Sequence, residues 1–450
     1  MKKISNILLI GLAALSVSTV SSCKSGGSGD EKIHVKFWHS MGQANQALLK
    51  RMISEFEAAN EDIVIEAFSQ GSYDDISGKI KEAIPTGTTP TMSFCYPDNV
   101  ADYIEAGAIE ELTPYVTSEE YGISDLTDYN SSYWNEGTNY QQEGIFSVPY
   151  AKSTEVMFYN ATVFEEQDWS VPTTWDELWT LARTIKGEFE EVTPLGYDSD
   201  SNLFITMCEQ YGIPYTTANP TGEDTNYLFN NSEAKAMVEE LNGYYKEGLF
   251  VTKGSSPNSS YTSTQFTNGK LVMSIGSTGG TTYNKSLNFD VGVAPLPKGT
   301  ENGNVISQGP SICFFKRSSK AEKVAAWKFY THITNSINSA NYSISTGYEP
   351  VRTSSYSTPA YESYFATGGE LNEAETAFVN RLVNDNNLLA TTAKCTSNFY
   401  KPENYFVSPI FPGSDTARDA VGGILSNVFL GTKTIDTAFQ DAFTTCIFRG

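Results

Sequence analysis

The residue types that carry acid–base or metal chemistry are sparse in this 450-residue chain. There are three histidines, His34, His39 and His332, so catalysis by imidazole is poorly supplied. Gly-x-Ser-x-Gly elbows and His-Glu-x-x-His pairs are absent. Cys95, Cys208, Cys313, Cys395 and Cys446 are far apart and form no CxxC or Cys/His spacing, which argues against zinc and thiol redox work. Their expected state is mostly buried free thiol, with a single disulfide, such as one including Cys395 and Cys446, left open. Asp198-Ser-Asp200 offers polar contacts or two metal oxygens, and calcium wants about six or more. Gly276-Ser-Thr-Gly-Gly-Thr-Thr282 could cradle an anion with backbone N–H groups, yet it lacks the Gly-Lys-Ser/Thr ending of a phosphate loop. It reads as a turn and helix start. Trp38 and His39 end a first strand, where His39 is either a hydrogen-bonding ligand contact or a local cap. Trp134 and Tyr140 could form a stacking wall or simply pack.

Charge and composition narrow the partners. Fifty-three acids against 30 bases give a formal net charge of −23, a surface that repels nucleic acid and anionic lipid. Aromatic residues reach 13%, a generous supply of rings for stacking. The N-terminus is the sharpest local signal. Lys2 and Lys3 precede the apolar run from Ile7 to Val17, and small residues lead into Val20-Ser21-Ser22-Cys23. The run is too short for a transmembrane helix and reads as an export signal. Its ending fits a bacterial lipoprotein signal, so residues 1–22 are expected to be removed and the thiol of Cys23 acylated. Residues 23–30, rich in Gly and Ser, then form a flexible tether.

The elements behind these residues follow from periodicity. Residues 32–38 alternate and predict a strand. Leu48, Met52 and Phe56, with Leu49 and Ile53 beside them, predict an amphipathic helix over 43–58. Further strands are expected at 63–68, 91–95, 156–159, 271–275, 291–294 and 312–315, and a helix at 73–83 broken by Pro85–Pro90. Thr173-Thr-Trp-Asp176 opens another helix, with an acid against its dipole. Strands alternating with helices imply α/β architecture with helical crossovers, and the length implies two lobes.

Several of these segments, taken in order, resemble the family-1 extracellular solute-binding proteins of ABC importers. They are Phe37-Trp-His-Ser-Met-Gly42, Gly71-Ser-Tyr73, Pro90-Thr-Met92, Ala106-Gly-Ala-Ile-Glu-Glu-Leu112 and Val148-Pro-Tyr-Ala-Lys-Ser-Thr-Glu-Val-Met-Phe-Tyr-Asn160. Pro172-Thr-Thr-Trp-Asp-Glu-Leu178, Phe266-Thr-Asn-Gly-Lys270, Val291-Gly-Val-Ala-Pro-Leu-Pro297 and Thr346-Gly-Tyr-Glu-Pro-Val351 follow. The Trp-His-Ser-Met stretch is most similar to the glycerol-3-phosphate-binding branch, relatives of maltose-binding protein. The resemblance implies a type II periplasmic-binding-protein-like fold: two lobes of parallel-rich sheets flanked by helices, closing on a ligand in the cleft between them. Residues 31–150 and 308–346 would form lobe 1, and residues 151–307 and 347–450 lobe 2. Crossings would fall near Pro149–Ala151, Ser307–Gly309 and Thr346–Pro350.

The same resemblance assigns ligand contacts to Tyr73, Asp98, Ser153, Ser277, Gly309 and Tyr348, with Trp38 and His39 as further candidates. It puts the phosphate-pairing arginine of that branch at or near Ile410, where no arginine stands, which favours a neutral mono- or oligosaccharide over glycerol-3-phosphate. The protein is therefore expected to be a monomeric, lipid-anchored, extracytoplasmic binding protein that hands its ligand to a permease, with no cofactor, no metal and no catalysis. A secreted glycosidase with paired carboxylates and a glycan-capturing surface lipoprotein are the competing readings.

Overall fold

The computed structural model describes residues 32–221, 225–365 and 387–448. The export signal, the tether and Cys23 lie outside the described residues.

The alternating segment forms strand β1 (Ile33–His39), with Val35 and Phe37 fully buried. Strands β2 (Ile63–Ser69), β3 (Met92–Cys95) and β4 (Val148–Pro149) complete the first third of the chain. Then come β5 (Glu155–Asn160), β6 (Thr193–Tyr197), β7 (Phe250–Thr252), β8 (Leu271–Ser277) and β9 (Val291–Ala294). The last are β10 (Val305–Ile306), β11 (Ser311–Phe314) and β12 (Tyr405–Phe406). One five-stranded sheet has the order β2-β1-β3-β11-β4, and a second has β7-β6-β8-β5-β9. Each is mixed rather than wholly parallel. In the first, β11 runs antiparallel to β3 and β4. In the second, β5 runs antiparallel to β8 and β9.

Each sheet has its own core. Val35, Phe37, Phe94, Phe314 and Trp327 belong to one, and Met157, Phe158, Trp175, Leu195, Phe204 and Met273 to the other. Burying such side chains contributes about 1.5–3 kcal/mol each, so each lobe carries its own driving force. A smaller cluster of Ala340, Ile344, Tyr361, Tyr364 and Leu389 joins the helices Ser336–Thr346, Pro359–Phe365 and Asn387–Phe399.

The helix expected over 43–58 spans Gln43–Ala59. The helix at Tyr73 runs through Pro85 to Thr86 before Gly87 terminates it in the left-handed region. In the last turn Pro85 forfeits only one intrahelical bond, so the proline does not stop the helix where its sequence position suggested. Cys95, Cys208, Cys313, Cys395 and Cys446 are buried thiols, with no disulfide among the described residues.

Candidate functional site

Three segments cross between the lobes and are tied to one another by backbone hydrogen bonds. The N–H groups of Tyr150 and Ala151 both donate to Pro310 O at 3.2 Å. Ser153 and Gln308 exchange bonds of 2.8 and 2.9 Å, and Glu349 N donates to Lys152 O at 2.5 Å. Gly309 has φ +101°, and a Cβ there would sit 2.4 Å from Ala151 O, so the close approach of two crossings requires glycine. Beneath them a fully buried Lys152 ammonium pairs with Glu136 and donates to Ser311 Oγ at 3.2 Å. Ser307 Oγ donates to the other Glu136 oxygen at 2.6 Å. Glu349 accepts from the hydroxyls of Tyr133 and Tyr405, and burial holds its carboxyl above the usual range.

Against this hinge opens a cleft of about 1110 Å³. One wall carries tyrosines. The capping box of Ser72 and Asp75 starts the helix Tyr73–Thr86 and so fixes Tyr73 at its first position. The Tyr73 ring packs on Tyr96 with centroids 4.7 Å apart, and its hydroxyl lies 3.4 Å from that of Tyr348. Tyr348 lies against the loop after β8, where a Cβ on Gly279 would fall 2.6 Å from its ring.

The facing wall is polar. Ser277 ends β8, and its Oγ accepts from Gly279 N at 3.2 Å. Opposite it in register, Glu155 begins β5 and accepts from Tyr197 Oη at 2.5 Å and Asn202 Nδ2 at 2.7 Å. Burial raises the Glu155 carboxyl to about 7. Asn202 also donates to Gln308 at 3.1 Å and accepts from the Arg418 guanidinium, linking the hinge to the wall.

Deeper in, a cavity of about 110 Å³ shares Tyr96, Gln308 and Arg418 with the cleft. Asp98, Gly309 and Ile410 line it. Burial raises Asp98 to about 6, against the pull of Arg418. Thr216 Oγ1 and Ser408 Oγ are buried at this cavity with no protein partner.

The structure thus brings Tyr73, Ser153, Ser277 and Tyr348 into the cleft, and Asp98 and Gly309 into the inner cavity. Trp38 and His39 line neither. Trp38 is half-buried against the first core. His39 is 2% exposed, packs on Phe37 and Phe94, and accepts from Met41 N at 3.1 Å, which makes it the local cap. Burial lowers its pKa to about 4, so it stays neutral. Trp134 packs on Tyr129, and Tyr140 bonds Ser147.

Ile410 is apolar as read, and Arg418, eight residues later on the helix Ser414–Phe429, brings a guanidinium to the boundary of both cavities. Tyr96, Glu155, Lys253, Tyr261 and Gln308 line the cleft without having been assigned from the sequence. Asp198 and Asp200 face the cleft, with oxygens taken by Thr262, Thr252 and Gly254. Among the described residues no group of His, Cys, Asp or Glu is placed to hold a metal.

Two lobes, three braided crossings and a deep cleft of rings and polar groups define a hinged binding protein. The chain belongs to the bacterial extracellular solute-binding proteins, whose family pattern matches residues 51–367. It is 26% identical over 352 residues to the sn-glycerol-3-phosphate-binding periplasmic protein UgpB of Escherichia coli K12, covering 73% of this chain and 77% of the relative. UgpB of Salmonella typhimurium is 25% identical over 350 residues, with 74% and 77% covered. Solved structures share the fold. UgpB of Mycobacterium tuberculosis with glycerophosphocholine superposes with TM-score 0.72 at 19% identity, covering 94% of this chain and 98% of that one. The GacH receptor of Streptomyces glaucescens gives 0.71 at 17%, covering 92% and 98%. Maltose-bound MalE3 of T. maritima gives 0.70 at 18%, covering 93% and 100%. Proteins of this family bind small molecules and work with ABC permeases. No described helix is long and apolar enough to cross a membrane.

Proposed function

We propose that this protein captures a carbohydrate in the interlobe cleft by lobe closure and delivers it, chemically unchanged, to a permease. The observation that carries this is the composition of the cleft. Tyrosine rings face hydroxyl, amide and carboxylate groups, which suits a ligand with stacking C–H faces and in-plane hydroxyls. Asp74, Asp198, Asp200 and Asp419 line it against Lys253 and Arg418, so the fixed charge disfavours an anionic ligand. A glycerol-phosphate ligand is the second reading, favoured by Arg418 and by the names of the curated relatives. It is disfavoured because the guanidinium already offsets Asp98, Glu155 and Asp419, leaving a phosphate dianion among acids. Calorimetry against sugars and glycerol-3-phosphate separates the two. Micromolar sugar binding with weak or absent glycerol-3-phosphate binding supports the first, and the reverse order overturns it.

The protein acts as a monomer held to a bacterial membrane by acylated Cys23. Cys23→Ala should move it from the membrane to the soluble fraction, and sedimentation of the variant with membranes in high salt would defeat that reading.

A further inference from the structure

Away from the crossings, the lobes also meet through three helices. Tyr73–Thr86 and Pro97–Glu105 put Ile76, Ile80, Val100 and Tyr103 into the first core. Ser414–Phe429 puts Ala417, Val421 and Leu425 into the second. Lys81 and Asp102 therefore stand on one lobe and Asp415 on the other. Lys81 Nζ lies 2.6 Å from Asp415 Oδ2 and 3.1 Å from Asp102 Oδ2. Asp102 Oδ1 accepts at 2.8 Å from the N–H of Gly413, the residue that precedes the helix of the second lobe. Two of these contacts pass from lobe to lobe, and the one between Lys81 and Asp102 holds the ammonium in place.

Apolar packing at this seam is incomplete. A cavity of about 270 Å³ opens between Ala101 and Ile104 on one lobe and Ile410, Phe411 and Pro412 on the other. Charge nearby works against contact, since Asp74 and Asp419 repel each other from opposite lobes. The Arg418 guanidinium is bonded to Asn202 within its own lobe. Lys81 is the cation that reaches across. Its carboxylate partners are 17% and 14% exposed, so the contacts are screened less than those of a fully solvated pair.

We propose that Lys81 latches the two lobes in the absence of ligand and limits how far the empty cleft opens. The crossings supply the axis, and the latch supplies the stop. Lys81, Asp102 and Asp415 line neither the cleft nor the inner cavity, so the device acts without touching what is bound. The empty protein waits partly closed, with room for a ligand to draw the lobes further in. Opening it beyond this point requires breaking the latch.

The test is small-angle scattering of the ligand-free protein after exhaustive dialysis, which needs no knowledge of the ligand. Lys81→Met and Asp415→Asn should each enlarge the radius of gyration, with the near-ultraviolet dichroism of the aromatic cores unchanged. The exchange of Lys81→Asp with Asp415→Lys keeps the net charge and again puts a cation between two carboxylates. It should return the radius to the wild-type value. An unchanged radius in either single variant overturns the proposal. So does an expansion that the exchange fails to reverse. Expansion with loss of the dichroism signal overturns it as well, because it would assign these residues to the stability of the lobes.

Discussion

Glu155 is the cleft residue with the clearest titration behaviour. Its carboxyl is raised from 4.5 to about 7 by burial, so the folded protein binds a proton there that the unfolded chain releases. Stability from this group is therefore full below about pH 4.5 and falls as pH rises toward 7, by on the order of 3 kcal/mol once ionised. Glu155→Gln should remove that slope, and melting curves at about pH 4.5 and pH 8 should show the variant gaining relative to wild type only at the higher pH. At the same scale, Tyr73→Ala and Tyr348→Ala should each weaken sugar binding by about 1–3 kcal/mol in calorimetry, the size of a lost aromatic contact with its hydrogen bond. These two tyrosines were legible because each sits in a short recognisable segment. Glu155 was not, although it stands two residues after Ser153. Its cleft position depends on antiparallel pairing with Ser277, more than a hundred residues away, and no local pattern encodes that register. The cavity position of Arg418 was hidden for a related reason. A residue-by-residue alignment fixes position along the chain, whereas the helix Ser414–Phe429 turns its side chain back over both cavities.

Among elements, the crossing segments are the most exacting. The Lys152–Glu136 pair is buried on both sides, and removing one partner strands the other. Lys152→Met should lower unfolding free energy by about 3–5 kcal/mol, while Lys152→Met with Glu136→Gln should recover much of the loss, as read by urea denaturation. A loss in the double variant equal to that in the single one would show that the pairing is not what matters. Strands and helices with one wet face were readable, as for Ile33–His39 and Gln43–Ala59. The helix Asp200–Tyr211 was not. Seven successive residues, Asn202 to Cys208, are buried, so it has no polar stripe to give a period. The mixed strand directions were likewise hidden, because hydrophobic alternation carries no sense of direction.

At the scale of the molecule, the two cores are separate and the crossings tie them together, the arrangement for hinge closure. Saturating ligand should reduce the radius of gyration in small-angle scattering, and an identical profile would count against closure. The strand order also bears on how the chain is made. β11 is the fourth strand in a sheet whose other members come from residues 33–149, and it lies between β3 and β4. Until residues 311–314 have been synthesised, the first sheet is missing an interior strand and Phe94 and Val148 lack their register partner, Ile312. The first lobe therefore cannot finish folding until about 160 residues of chain beyond β4 exist, and such long-range closure is slow. Late insertion of β11 thus works as a built-in delay, keeping the first lobe open until its fourth strand is made.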